Sequence, residues 1–145
     1  MHVPCTTTRP NAIEFKRLST ALCGHDSASL TEVSTALAGP VVLAKGAVDR
    51  ITQHGVSTIL ECAEPGSPRR PGGLGDFLAG SVAVLVAWAR LREQSPLVAC
   101  QAACAVVRRA CSSAYNVKHR ALVAPDVVDH VGAAFHALFS ETDTN

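Results

Sequence analysis

Arg69 to Gly80 reads RRPGGLGDFLAG, a proline- and glycine-rich turn that ends in Gly75-Asp76 and opens at once into an apolar segment. A helix N-terminus leaves backbone N–H groups unpaired and carries about half a positive charge, so glycines just ahead of it let an anion approach the backbone closely. That is the composition of a phosphate site. Asp76 falls in the same turn, and a carboxylate beside a bound phosphate points to proton removal during phosphoryl transfer. Asp76 is therefore the candidate catalytic base. The plainer alternative is an ordinary helix start, in which Asp76 stabilises the dipole and the glycines only close a loop.

Working outward, the segment after this turn is apolar on nearly all sides through Trp88, which predicts a central helix. The segment before it, Glu64 to Gly75, is too rich in proline and glycine for regular structure. Val41-Val42-Leu43-Ala44 is a short apolar run without alternation, the pattern of a strand buried on both faces of a parallel sheet. It ends at Lys45-Gly46, where ligands of open α/β sheets collect. Asn11 to Leu22, with Pro10 ahead of it, and Ser29 to Ala38, closed by Gly39-Pro40, carry helical spacing with start and stop signals. Asp49 to Cys62 predicts a hairpin or a further pair of strands, with a turn at His54-Gly55 and a β-rich stretch over Val56 to Leu60. Leu97 to Val117 and Pro125 to Leu138 predict two more helices, the second with Val127, Val128, Val131, Phe135 and Leu138 along one stripe. The tail, 141–145, reads as disordered.

With 13 basic and 12 acidic residues, a formal net charge of +1 and a length of 145 residues, the chain has the size of one domain and no strong attraction for polyanions. The longest apolar run, Phe77 to Ala89, falls short of the ~20 residues of a membrane span, and no secretory leader pattern opens the chain. No nucleic-acid or membrane partner is expected. The six cysteines form no CxxC pair and no zinc-ligand spacing, so no metal site is expected. Cys100, Cys104 and Cys111 lie at intervals of four and seven, which places them on one helix face as small buried residues. Neither GxxxxGK(S/T) nor GxGxxG after a strand occurs, which removes the P-loop and dinucleotide-fold readings.

Gly72, Gly73, Leu74, Gly75 and Asp76, followed by Gly80, resemble the GGxGDxLxG segment in the C-terminal half of the ribokinase-like superfamily. Pro10-Asn11-Ala12-Ile13-Glu14-Phe15 resembles the TPNxxEF signature of one branch, the ATP-dependent NAD(P)H-hydrate dehydratases, and Lys45-Gly46-Ala47-Val48-Asp49 resembles its KGxxD signature. Asp126 to Phe135 is similar to its last helix. The resemblance implies an α/β, ribokinase-like fold, with a central mostly parallel sheet flanked by helices. The family domain is roughly twice as long, so residues 1–145 are expected to be its C-terminal portion, and Met1 to Cys5, which has no strand or helix pattern, fits a truncated or mis-started product.

The same resemblance implies ATP-dependent repair of hydrated NADH and NADPH, with Asp76 as base. ATP contacts are expected from Lys45, Gly46, Ala47, Val48 and Asp49 and from Gly66, Ser67, Pro68, Arg69, Arg70, Pro71, Gly72, Gly73, Leu74 and Gly75. The hydrated dinucleotide is expected against Asn11, Ala12, Ile13, Glu14, Phe15, Lys16, Arg17 and Asp76. Mg2+ is expected to arrive with ATP, the co-substrate. The expected compartment is the cytoplasm, with the mitochondrion as the alternative, and a homo-oligomer is compatible with the pattern. Each residue also has a bland reading. Lys45 can snorkel from a strand end, Asn11 and Glu14 are ordinary helix-start residues, and Arg69 and Arg70 can be solvated loop cations. Leu74 stands where many members carry a polar residue, which removes one side-chain contact to phosphate. A sugar or vitamin-precursor kinase shares the glycine turn and is the competing enzyme; a non-catalytic nucleotide-binding remnant is the competing binding module.

Overall fold

The computed structural model describes residues 7–140, and the expected tail and the opening segment lie outside them. The elements are β1 (Thr7–Thr8), α1 (Ala12–Cys23), α2 (Leu30–Leu37), β2 (Val41–Ala44), β3 (Asp49–Gln53), β4 (Leu60–Cys62), α3 (Leu74–Leu91), α4 (Pro96–Lys118), α5 (Ala124–Val128) and α6 (Val131–Phe139). Their caps explain where the first two helices begin. Asn11 accepts from the N–H groups of Ile13 and Glu14 while Glu14 accepts from that of Asn11, and Ser29 and Glu32 repeat the arrangement at α2. Each box satisfies donors that the helix itself leaves unpaired.

The strands form one sheet in the order β1-β2-β3-β4. Val41, Val42 and Leu43 are wholly buried, as the unalternating run predicts, because α2 covers one face of β2 and β3 and α4 covers the other. The sheet is expected to be mostly parallel, and among the described residues it is mixed: β1 and β2 are parallel, but β2 pairs antiparallel with β3, and β3 with β4. Connection length is the reason. Residues 45–48 and 54–59 are too short for the crossover that parallel neighbours need, whereas α1 and α2 supply it between β1 and β2. The hairpin expectation over Asp49 to Cys62 holds, with the second strand at Leu60–Cys62 rather than over Val56 to Leu60.

The central helix is α4, and this corrects the expectation that α3 would be. Ala99, Cys100, Ala103, Cys104, Ala110, Cys111 and Ala114 are buried along α4, and their small side chains let the sheet, α3, α5 and α6 all approach it. The cysteine face is where its spacing places it. Leu78, Val82, Val86 and Ala89 of α3 join Leu43 and Ile51 in the main core, each full burial of such an aliphatic contributing about 1.5–3 kcal/mol. The opposite stripe of α3 is left bare: Val84 and Trp88 are about half exposed and Leu91 is 84% exposed. By length and composition α3 could also cross a membrane, although its inner face lies in the core. The single helix expected over Pro125 to Leu138 is broken at Asp129-His130, where the N–H of His130 bonds to Val127 in a tight turn and its ring contacts the Asp126 carbonyl. The break places Val127 and Val128 in α5 and the rest of the expected stripe in α6; Val127 is buried and Val128 is half exposed.

Candidate active site

Three separate segments of sequence meet at the carboxyl end of β2. The N–H of Lys45, the first residue after the strand, donates to the carbonyl of Pro10 at 3.0 Å, which sets the start of α1 beside the β2–β3 turn. The side chain of Lys45 is one-quarter exposed and lies 4.0 Å from Glu14. Across from them runs the loop 63–73, which delivers the glycine turn to the start of α3. Arg70 donates to the carbonyl of Gly46 at 2.8 Å, and Arg69 donates to the carbonyl of Leu122 at 3.2 Å. Both arginines are exposed and both anchor the loop.

Between these segments lies a cleft of about 630 Å³. Of the expected ATP contacts, Lys45, Gly46, Ala47, Asp49, Gly66, Ser67, Arg70, Pro71, Gly72, Gly73, Leu74 and Gly75 line it. Val48, Pro68 and Arg69 belong to the same loops without lining the cleft. Of the expected dinucleotide segment, Asn11, Ala12 and Ile13 line it. Glu14 serves the helix cap and Lys45, Lys16 is paired at 4.0 Å with Asp26, Phe15 is half-buried and Arg17 is exposed. Asn11 and Glu14 are thus the cap of α1 and neighbours of the cleft at once.

Asp76 is exposed in the first turn of α3 and borders a second groove of about 430 Å³, together with Phe77, Trp88 and Phe135. Gly75, its neighbour, lines the first cleft, so the helix start separates the two spaces. Trp88 and Phe135 meet edge to face at 6.3 Å on the far wall of that groove. Gly73 caps α3 in the left-handed region, at φ 92°, and a Cβ there would stand 3.2 Å from that of Ala124. The turn therefore requires glycine at this position.

Sequence reasoning missed the wall contributed by α4: Val107, Arg108 and Cys111 line the cleft opposite the loops. A signal was present, because Arg108 falls four residues after Cys104 and three before Cys111, on the face already read as buried. A cation on such a face must be paired and hydrogen-bonded. Burial pushes the Cys111 thiol up from its ordinary pKa, and its contacts with Ser67 act the other way. Cys111 is thus a neutral, packed thiol at the base of the cleft.

Residues 6–131 match the family model described as NAD(P)H-hydrate dehydratase. Similar relatives are named ATP-dependent (S)-NAD(P)H-hydrate dehydratase: one from Entamoeba histolytica is 35% identical over 91% of this chain and 45% of its own length. Those from Bos taurus and Homo sapiens are 38% and 39% identical, each over 90% of this chain and over 43% and 41% of their own lengths. The chain spans less than half the length of these curated relatives. With the family model covering most of its residues and the cleft assembled from the matching segments, this chain belongs to the NAD(P)H-hydrate dehydratase family.

Proposed function

We propose that this chain carries the nucleotide-binding part of an enzyme that uses ATP to dehydrate the S form of hydrated NADH and NADPH. The observation that carries the reading is the meeting of Asn11–Ile13, Lys45–Asp49 and Gly66–Gly75 in one cleft. A polyphosphate there has a helix N-terminus free of any side-chain cap on one side and the Lys45 ammonium on the other. In the reaction, the ring hydroxyl attacks the γ-phosphorus of ATP, the bond to ADP breaks, and the hydroxyl proton passes to a base. Loss of phosphate from that ring carbon and of a proton from its neighbour then restores the double bond. We assign the base to Asp76, which stands one residue from the phosphate turn at the edge of the adjoining groove.

Among the described residues no three His, Cys, Asp or Glu side chains converge as a metal site. The carboxylates nearest the cleft are already engaged, Asp49 by Gly46 and Arg108 and Glu14 by Asn11 and Lys45. Mg2+ in this reading is held by the phosphate oxygens of ATP and by water, which suits its preference for phosphate ligands. We place the activity in the cytoplasm, with the mitochondrion as the alternative, which cell fractionation tests.

The deciding experiment joins this chain to the remaining half of a relative's domain and follows ATP-dependent recovery of NADH absorbance from hydrated NADH. A panel of sugars and vitamin precursors runs beside it. Phosphorylation of a panel member without repair of the hydrate would replace the dehydratase reading with the kinase one.

A further inference from the structure

Arg108 is the most heavily engaged side chain in the cleft wall. Its Nε donates to the carbonyl of Glu64 at 2.6 Å, and its Nη1 to Asp49 Oδ2 at 3.0 Å and the carbonyl of Gly46 at 3.4 Å. Its Nη2 donates to the carbonyl of Ala47. The side chain is only 14% exposed and that of Asp49 only 7%. The other oxygen of Asp49 accepts from the N–H of Gly46 at 3.0 Å. The turn is therefore closed from within: the carbonyls of Gly46 and Ala47 point to α4 and the amide of Gly46 to the carboxylate of Asp49. Gly46 has no room for more, since a Cβ there would stand 2.9 Å from the carbonyl oxygen of Val48.

We propose that Arg108 is the positioning residue of the Lys45–Asp49 turn, strapping it to α4 so that Lys45 is presented to the nucleotide. Arg108 is not itself a phosphate ligand, because Asp49 neutralises its charge and four acceptors occupy its fork. Only a planar guanidinium reaches four acceptors on two segments at once; an ammonium is a point charge and cannot. That the ligand is ATP rests on the function proposed above, whereas the fastening of the turn does not.

The test uses the 145-residue chain and two variants. Arg108→Lys keeps the charge beside Asp49, and Arg108→Met combined with Asp49→Asn leaves no stranded buried charge. Amide exchange is read at Gly46 in the turn, at Ile51 in β3 and at Ala103 in α4, and ATP is titrated against each protein. Positioning predicts that exchange at Gly46 rises roughly tenfold or more, the scale of lost hydrogen bonds to a charged group, while Ile51 and Ala103 hold steady and ATP affinity falls by a similar factor. Unchanged exchange at Gly46 would overturn the proposal. So would an equal rise at all three sites, or failure of both variants to fold, since either makes Arg108 a general support of the fold. Looser exchange at Gly46 with undiminished ATP affinity would also overturn it. A parent chain that binds no ATP would count against the proposed function alone, and exchange at Gly46 would still decide whether Arg108 fastens the turn.

Discussion

Gly73→Ala is the sharpest test of the phosphate turn, because neighbouring glycines provide its control. Gly73 sits at φ 92°, and an added Cβ meets that of Ala124 at 3.2 Å. Holding alanine in the left-handed region costs about 1–2 kcal/mol. Gly75 lies inside the first turn of α3 and has no atom within 4 Å of an added Cβ. Alanine there should stabilise by about 0.5–1 kcal/mol, through reduced freedom of the unfolded chain. The two substitutions should therefore differ by roughly 1.5–3 kcal/mol. Thermal unfolding followed by circular dichroism should show Tm about 3–8 °C lower for Gly73→Ala and about 2–4 °C higher for Gly75→Ala. If the first turn of α3 unwinds to relieve the strain, Tm is spared and ATP affinity is lost instead. Gly73→Ala matching the parent in both Tm and ATP affinity would refute the reasoning, since the turn would then not need glycine.

In an enzyme completed with the other half of the domain, Asp76→Asn should leave ATP binding intact and slow turnover by about two to four orders of magnitude; equal losses in binding and rate would make Asp76 a structural residue. Burial raises the Cys104 thiol pKa well above that of an ordinary thiol, so the unfolded chain releases this proton at a pH where the folded one keeps it. The associated stability is complete below about pH 8.5, the ordinary thiol pKa, and falls as pH rises further, by up to about 1.4 kcal/mol per pH unit per thiol. Urea titrations from about pH 8 to about pH 11, across that range, should show that Cys104→Ala reduces this alkaline loss. The bare stripe of Val84, Trp88 and Leu91 should make the chain by itself self-associate and repair hydrated NADH poorly. Light scattering should fall with Trp88→Lys or on joining the other half of the domain, and a monodisperse parent with full repair activity would contradict this.

What the sequence alone determined was local. The helices beginning near Asn11 and Ser29, the unalternating run at Val41–Ala44 and the spacing of the α4 cysteines each depend on residues within one or two turns of each other, and each appears in the structure where it was expected. The glycine turn was likewise legible, because a helix start after glycines is written in a few adjacent residues. Other features depended on contacts distant along the chain. Strand direction followed from how short the 45–48 and 54–59 links are in space, and which helix became central followed from which one had side chains small enough to be approached from several sides. Asp49 appeared in sequence as an ATP contact, yet its carboxylate is held by Arg108, 59 residues away. Such a pairing leaves no periodic trace. Only the folding of α4 against the sheet brings the two charges together, and only that packing decides which groups at the cleft remain free to meet a ligand.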